Sequence, residues 1–228
     1  MMRKITPAQI TVFVALFSVI TALATLSTMV LVRHSVFGEF YSVACLLAFG
    51  TLFYLWAFIV YRLSHRFMPL VDGDLAVGSR EEFAYQVDSL FRLVLFYPLI
   101  RTYFIPTPLM RLVYQALGAK MGDNTYSGGA ILDPALTRLG ANTIIGHDAV
   151  VFSHVIEGAD MALATVHIGN SVTVGAKAVI MPGVVIEDGA VVSVGAVVLK
   201  GTCIPAGEFW GGTPARPLAQ PGQRRDAD

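Results

Sequence analysis

Two apolar rhythms divide this chain. From Ile168 onward an apolar residue returns at every sixth position: Ile168, Val174, Ile180, Ile186, Val192, Val198 and Ile204. A period of six fits neither the 3.6-residue turn of a helix nor the plain alternation of one long strand. Six is three times two, so a short strand plus a turn can repeat with its apolar side always in phase. One such strand cannot bury a face, but stacked three-sided coils bury continuous columns of Ile and Val. Glycine follows the column residue at Gly169 and Gly175, where a tight turn benefits from the missing Cβ. The fifth position is small or apolar (Val172, Ala178, Val184, Ala190, Ala196, Thr202), as a narrow interior requires. Upstream the period continues through Met121, Ser127, Asp133, Leu139, Ile145 and Val151. Ser127 and Asp133 are poor matches, which predicts an irregular first coil. Between the blocks, Glu157 to His167 breaks the rhythm and is expected to be an excursion from the coil, with no further strand.

The second rhythm is unbroken apolarity. Ile10–Val32 and Tyr41–Val60 carry no charge, and either run is long enough, as a helix, to cross a hydrocarbon core of about 30 Å. The pattern predicts two transmembrane helices, about 10–32 and 41–61, joined by a tight turn over Arg33–Phe40. The first run is too long for the apolar segment of a signal peptide. Arg3 and Lys4 precede the pair, Arg62 and Arg66 follow it, and the connecting loop has Arg33 beside Glu39. The excess of positive charge at the outer flanks places both termini in the cytoplasm.

A mixed segment follows, over 64–117. Ser79 to Glu82 reads as a capping box, and Phe83, Val87, Leu90, Phe91, Val94 and Leu95 mark one helical face that Pro98 should end. Thr107-Pro108 reads as a second start and Gly118 as its terminator. Arg92, Arg101 and Arg111 interrupt these amphipathic helices. Either the helices cap the following domain, or they lie in the membrane interface with their arginines toward lipid phosphates. The organisation is then 1–63 tail and spans, 64–117 juxtamembrane helices, 118–215 repeat domain and 216–228 polar tail.

Composition agrees. Of 228 residues 55% are hydrophobic and 14% charged, too apolar for an ordinary soluble domain, and the net charge of zero gives no general attraction to nucleic acid. Cys45 and Cys203 sit in no CxxC pattern and read as plain buried thiols.

The stretches IGNSVTVGAKAVIMPGVVI and SVGAVVLKG, and the ending WGGTPAR, resemble the hexapeptide-repeat acyltransferases, over roughly Met121 to Arg216. The block FSHVIEGADMALATVHIGNSVTVGAKAVIMPG also looks like the terminal β-helix domains of certain membrane-bound nonribosomal peptide synthetases. The resemblance implies a mainly β fold, a left-handed parallel β-helix, here preceded by the two-helix transmembrane hairpin. It implies acetyl-CoA as co-substrate, no metal, and a homotrimer whose sites lie between neighbours. With the spans, it implies a bacterial inner (cytoplasmic) membrane protein whose β-helix is cytoplasmic and meets membrane lipids.

Acyl transfer from a thioester needs a base for the attacking hydroxyl or amine, and an imidazole suits that role near neutral pH. His34 and His65 lie outside the repeats, and His147 and His167 read as turn or surface residues. His154 stands where the resembling family carries its catalytic histidine, with Glu157 to orient it or shape the acceptor site. The resemblance further implies that Gly175 and Ala176 line the thioester end of coenzyme A and Gly195 and Ala196 its arm. Lys200 and Arg216 would meet phosphates and Trp210 would pack at that end. Leu199 departs from the family, which often has a threonine there. The expected function is acetylation of a sugar or amine, small or lipid-linked, on an envelope precursor. Two alternatives remain: a non-catalytic membrane-tethered scaffold, and a gamma-type carbonic anhydrase-like metal lyase, which would need three converging histidines.

Overall fold

The computed structural model describes residues 3–102 and 104–219, so most of the expected polar tail, from 220 on, lies outside the described residues. The chain divides into a helical unit, Arg3–Pro69 with Val77–Phe96, and a coil unit, Leu70–Ala76 with the residues from Tyr97 onward.

In the helical unit, α1 (Pro7–Leu31) starts at Thr6, whose hydroxyl accepts from the Gln9 amide while the Gln9 side chain accepts from the Thr6 amide. The connector is not bare turn: α2 (His34–Phe37) and a 3₁₀ turn (Gly38–Phe40) lead into α3 (Tyr41–Phe67), which outruns the expected 41–61 by a turn and a half. α1 and α3 pack on each other: Trp56 Nε1 donates to Ser27 Oγ at 3.0 Å, and Phe17 meets Phe53 edge-on at 5.7 Å. Their outer sides are greasy; Met29, Val30, Leu46 and Leu47 are 66–71% exposed, which water would penalise.

Helix α4 (Arg80–Phe91) does not stop before Pro98. It widens into a π turn (Arg92–Phe96) and resumes as α5 (Tyr97–Arg101), because the widened turn takes up the proline ring and its missing donor. Among the described residues, three helical stretches, Pro7–Leu31, Gly38–Phe67 and Arg80–Arg101, are therefore long and apolar enough to cross a membrane. The third differs from the others, because 56% of its apolar stretch is buried inside the protein against 17% and 11%. Its charges are satisfied internally. Asp88 accepts from Tyr61 Oη at 2.7 Å and Arg92 Nε at 2.6 Å, with His65 Nε2 at 3.0 Å, so Arg92 faces a carboxylate rather than lipid phosphate. Ser79 does cap Glu82, but Glu82 reaches back to the Gly78 amide and pairs with Arg3 at 3.0 Å.

The coil unit opens with α6 (Thr107–Ala116), where Thr107 is the first helical residue and Pro106 holds the cap position. Gly118, at φ +109°, ends it as expected. Beyond it the chain winds into a three-sided parallel β-helix of strands two to four residues long. The first face stacks Lys120–Met121, Thr137–Leu139, Val166–Ile168, Val185–Ile186 and Cys203–Ile204. The second stacks Tyr126–Ser127, Ile144–Ile145, Thr173–Val174, Val191–Val192 and Phe209–Gly212; the third stacks Ala130–Ile131, Val150–Val151, Val179–Ile180 and Val197–Val198. All seven repeat positions from Ile168 to Ile204 point inward, at 3% exposure or less. Arg216 lies in a last strand, Ala215–Leu218, that folds back antiparallel on Phe209–Gly212. The Tyr114 hydroxyl plugs the first coil, donating to Gly129 O at 2.9 Å and accepting the Ile131 amide.

Further expectations need correction. Cys203 is exposed and Cys45 half-buried, because Cys203 takes the outward position beside inward Ile204. The break in rhythm contains strands. Stacked partners on the first face are 18 residues apart (Lys120 and Arg138, His167 and Val185), except Arg138 and His167, which are 29 apart. The extra residues form a β-hairpin, His154–Glu157 against Asp160–Leu163, turning at Gly158 (φ +66°). Gly73–Asp74 adds a third strand to it. His154 thus begins the excursion instead of preceding it, and His167 already belongs to the coil.

Candidate functional site

A three-sided coil has three corners, and the candidate residues sort by corner. Between the third and first faces run Leu132–Leu136, then the hairpin, then Met181–Val184, then Leu199–Thr202. This corner carries His154, Glu157 and Lys200. Between the second and third faces run Gly128–Gly129, Gly146–Ala149, Gly175–Ala178 and Ser193–Ala196. This second corner carries Gly175, Ala176, Gly195 and Ala196. In one chain, the expected base and the expected coenzyme groove therefore sit on different corners.

The base corner is built around Asp133. That position falls in an apolar column, and its carboxylate is 3% exposed. Thr137 Oγ1 bonds the Asp133 carbonyl at 2.9 Å, and Asp133 Oδ2 accepts the Ser153 amide at 2.7 Å. The same oxygen lies 2.7 Å from His154 Nδ1. With the Ser153 amide already donating to that oxygen, the tautomer that satisfies the contact puts the ring hydrogen on Nδ1, which donates it to Asp133. Nε2 is then left as the basic nitrogen, with the ring 23% exposed. Phe152 flanks the imidazole at 5.5 Å between ring centres.

Glu157 sits elsewhere. Along the strand side chains alternate, so His154 and Ile156 share one side and Val155 and Glu157 the other. Glu157 pairs with Lys200, whose Nζ donates to both carboxylate oxygens at 2.6 and 2.8 Å. Both side chains are more than half exposed, so the pair contributes at most about 1 kcal/mol. The carboxylate partner of the imidazole is Asp133, which sequence reading passed over. Its one signal was an aspartate standing in a column of isoleucine, leucine and valine.

The second corner is thin. A Cβ on Gly175 would lie 2.5 Å from the Val194 amide nitrogen, and one on Gly146 would lie 2.5 Å from that of Ala176. The levels are tied by the Gly195 amide donating to Ala176 O and that of Lys177 to His147 O, both at 2.9 Å. Ala196 is wholly buried at 0% exposure, its methyl turned into the coil. Ala176 stays half-buried, and Lys177, which sequence reading did not single out, adds an exposed cation. Arg216 is exposed, and Trp210 donates to Glu208 at 2.7 Å. The corner thus offers a narrow edge of small residues with cations nearby, which suits the slender arm and phosphates of coenzyme A. His147, 69% exposed beside Asp148, lies on this corner. Among the described residues no three His, Cys, Asp or Glu side chains cluster as metal ligands would.

No family model matches the chain. Over 111 residues, 48% of this chain, it is 29% identical to a delta-poly-L-ornithine synthetase of Acinetobacter baumannii, and that match spans 8% of the synthetase. Among solved structures it is similar to a hexapeptide-repeat acetyltransferase of Vibrio cholerae complexed with acetyl coenzyme A. That match has 26% identity and a TM-score of 0.42, covering 45% of this chain and 60% of the other. It is similar too to a galactoside acetyltransferase in complex with coenzyme A, with 20% identity and a TM-score of 0.44, covering 57% and 78%.

Proposed function

We propose that this chain is a membrane-anchored, CoA-dependent acyltransferase that moves an acetyl group to a hydroxyl or amine of an envelope precursor. The observation that carries the reading is the 2.7 Å contact between His154 Nδ1 and buried Asp133, at the root of a hairpin that interrupts an otherwise regular coil. Asp133 fixes the tautomer, so Nε2 can accept the proton of the attacking hydroxyl or amine. The new bond forms between that oxygen or nitrogen and the acyl carbon. The carbon–sulfur bond breaks, and the thiol leaves with the proton carried by the imidazolium. The donor's arm would lie along Gly175, Ala176, Gly195 and Ala196, with Lys200, Arg216 and Trp210 toward its nucleotide.

Because base and groove occupy separate corners of one chain, the complete site is read as shared between neighbours in a homotrimer of left-handed β-helices. α1 and α3 would be the spans in the inner membrane, with the coil on the cytoplasmic side. Their exposed apolar sides and the basic Arg3, Lys4, Arg62 and Arg66 support that orientation.

The test is thiol release from acetyl-CoA by the full chain in membranes, with pooled envelope precursors and mass spectrometry of the product. Wild type is expected to release coenzyme A and shift an acceptor by one acetyl unit. His154→Ala is expected to bind coenzyme A without turnover, and full turnover by that variant would refute the assignment.

A further inference from the structure

The coil unit holds a cavity of about 310 Å³, near the small end of the range for small-molecule sites. One wall is Ile100, Arg101, Ile105 and Met110, from α5, the loop after it and α6. The other is the second corner at its first two levels, Gly128 to Ala130 and Asp148 to Val150. This is the corner that carries Gly175 and Ala176. Successive levels of a β-helix are about 4.8 Å apart, so Asp148 lies one level and Gly129 two levels beyond Ala176. The cavity thus opens about 5–10 Å past the thioester end of the proposed groove, on the side away from Lys200 and Arg216.

Its lining is of two kinds. Ile100, Ile105 and Met110 supply an apolar side. Arg101, stacked on Tyr97 at 5.7 Å, and Asp148 supply opposite charges. An acyl tail would use the first and have no partner for the second. A free sugar would use the second and leave the first wet.

We propose that this cavity binds the acceptor, and that the acceptor is an amphipathic anion. Its phosphate or carboxylate faces Arg101, its hydroxyl or amine donors face Asp148, and its short apolar portion lies against Ile100, Ile105 and Met110. This rests on the acyl-transfer reading above and adds the class of acceptor to it. A guanidinium holds a phosphate in two-point fashion, and a carboxylate takes sugar hydroxyls or an ammonium as donors.

The test measures binding, so it does not depend on turnover. The full chain in phosphatidylcholine nanodiscs is dialysed against hexyl glucoside 6-phosphate, with glucose 6-phosphate and hexyl glucoside as the polar-only and apolar-only probes. Wild type is expected to bind the first at least tenfold more tightly than either part. Arg101→Met removes the charge and keeps an apolar stem. Ala130→Leu narrows the cavity from a position whose neighbour Ile131 points inward, so the added side chain projects outward. Each is expected to weaken the full probe at least tenfold, whereas Asn170→Ala, on the third corner, binds it as wild type does. Equal binding of the three probes, or unchanged binding in both variants, overturns the proposal. So does a loss of hexanoyl-CoA binding in Ala130→Leu with probe binding intact, which would mark an acyl pocket. Thiol release measured in parallel, and its dependence on His154, reports on the acyl-transfer reading separately.

Discussion

Two corners of the same β-helix are built on opposite plans. The hairpin corner is polar, individual and tied down: Asp133, Ser153, His154, Glu157 and Lys200 each have a named partner. The other corner is repetitive, its levels packed backbone to backbone through glycine and alanine, with His147, Asp148 and Lys177 exposed along its edge. In the proposed function the first would supply a proton acceptor and the second would hold a long flexible thioester, so that chemistry falls where the repeat is broken and binding where it is kept.

The comparison breaks most sharply at the imidazole. His154→Ala is expected to lower turnover toward the upper end of the about 10²–10⁴-fold that a general base supplies. Asp133→Asn keeps shape but loses the charge that fixes the tautomer, and is expected to cost about 10²-fold, the low end of that range. Its rate-versus-pH profile should change as well, which separates a positioning role from simple loss of packing. On the glycine-rich corner the cost is structural. Gly175→Ala forces a Cβ to 2.5 Å from the Val194 nitrogen, and is expected to cost about 1–3 kcal/mol in thermal or denaturant unfolding.

Smaller effects sharpen the contrast. Lys200→Met is expected to raise KM for acetyl-CoA about five- to tenfold with kcat nearly constant, as for a lost contact worth about 1 kcal/mol. Glu157→Gln frees Lys200 and should change stability by under about 1 kcal/mol, because the pair is exposed. The third corner serves as a control. There the Asn170 side chain and amide hold Asp188 below the ordinary carboxylate range. A lowered value in the folded state adds stability above that range, lost as pH falls through the Asp188 midpoint. Asn170→Ala should move that midpoint upward in an NMR titration and leave turnover unchanged.

Much of the coil was legible because burial in a stacked coil is strictly periodic. Every column position from Met121 to Val151, including the misfits Ser127 and Asp133, is buried. The break was legible as a loss of period. That it is a paired hairpin was not, because its partners are local and Gly73–Asp74, the strand added to it, comes from far upstream. The role of Asp133 was hidden for a related reason: its partner His154 is 21 residues away, joined only once the coil closes. Pro98 misled because a π turn compensates for it, and no local rule signals one. The division of the site between corners depends on counting faces around the coil, which the sixfold spacing alone does not number.

The account's central claim is that the two corners act together only across neighbouring copies. The direct measurement mixes two inactive variants, His154→Ala and Ala176→Phe, after separate purification, dissociation and reassembly. In a ring where each site takes one corner from each neighbour, random mixing is expected to restore about one quarter of wild-type thiol release. Co-assembled mixtures that stay as inactive as either parent would contradict it.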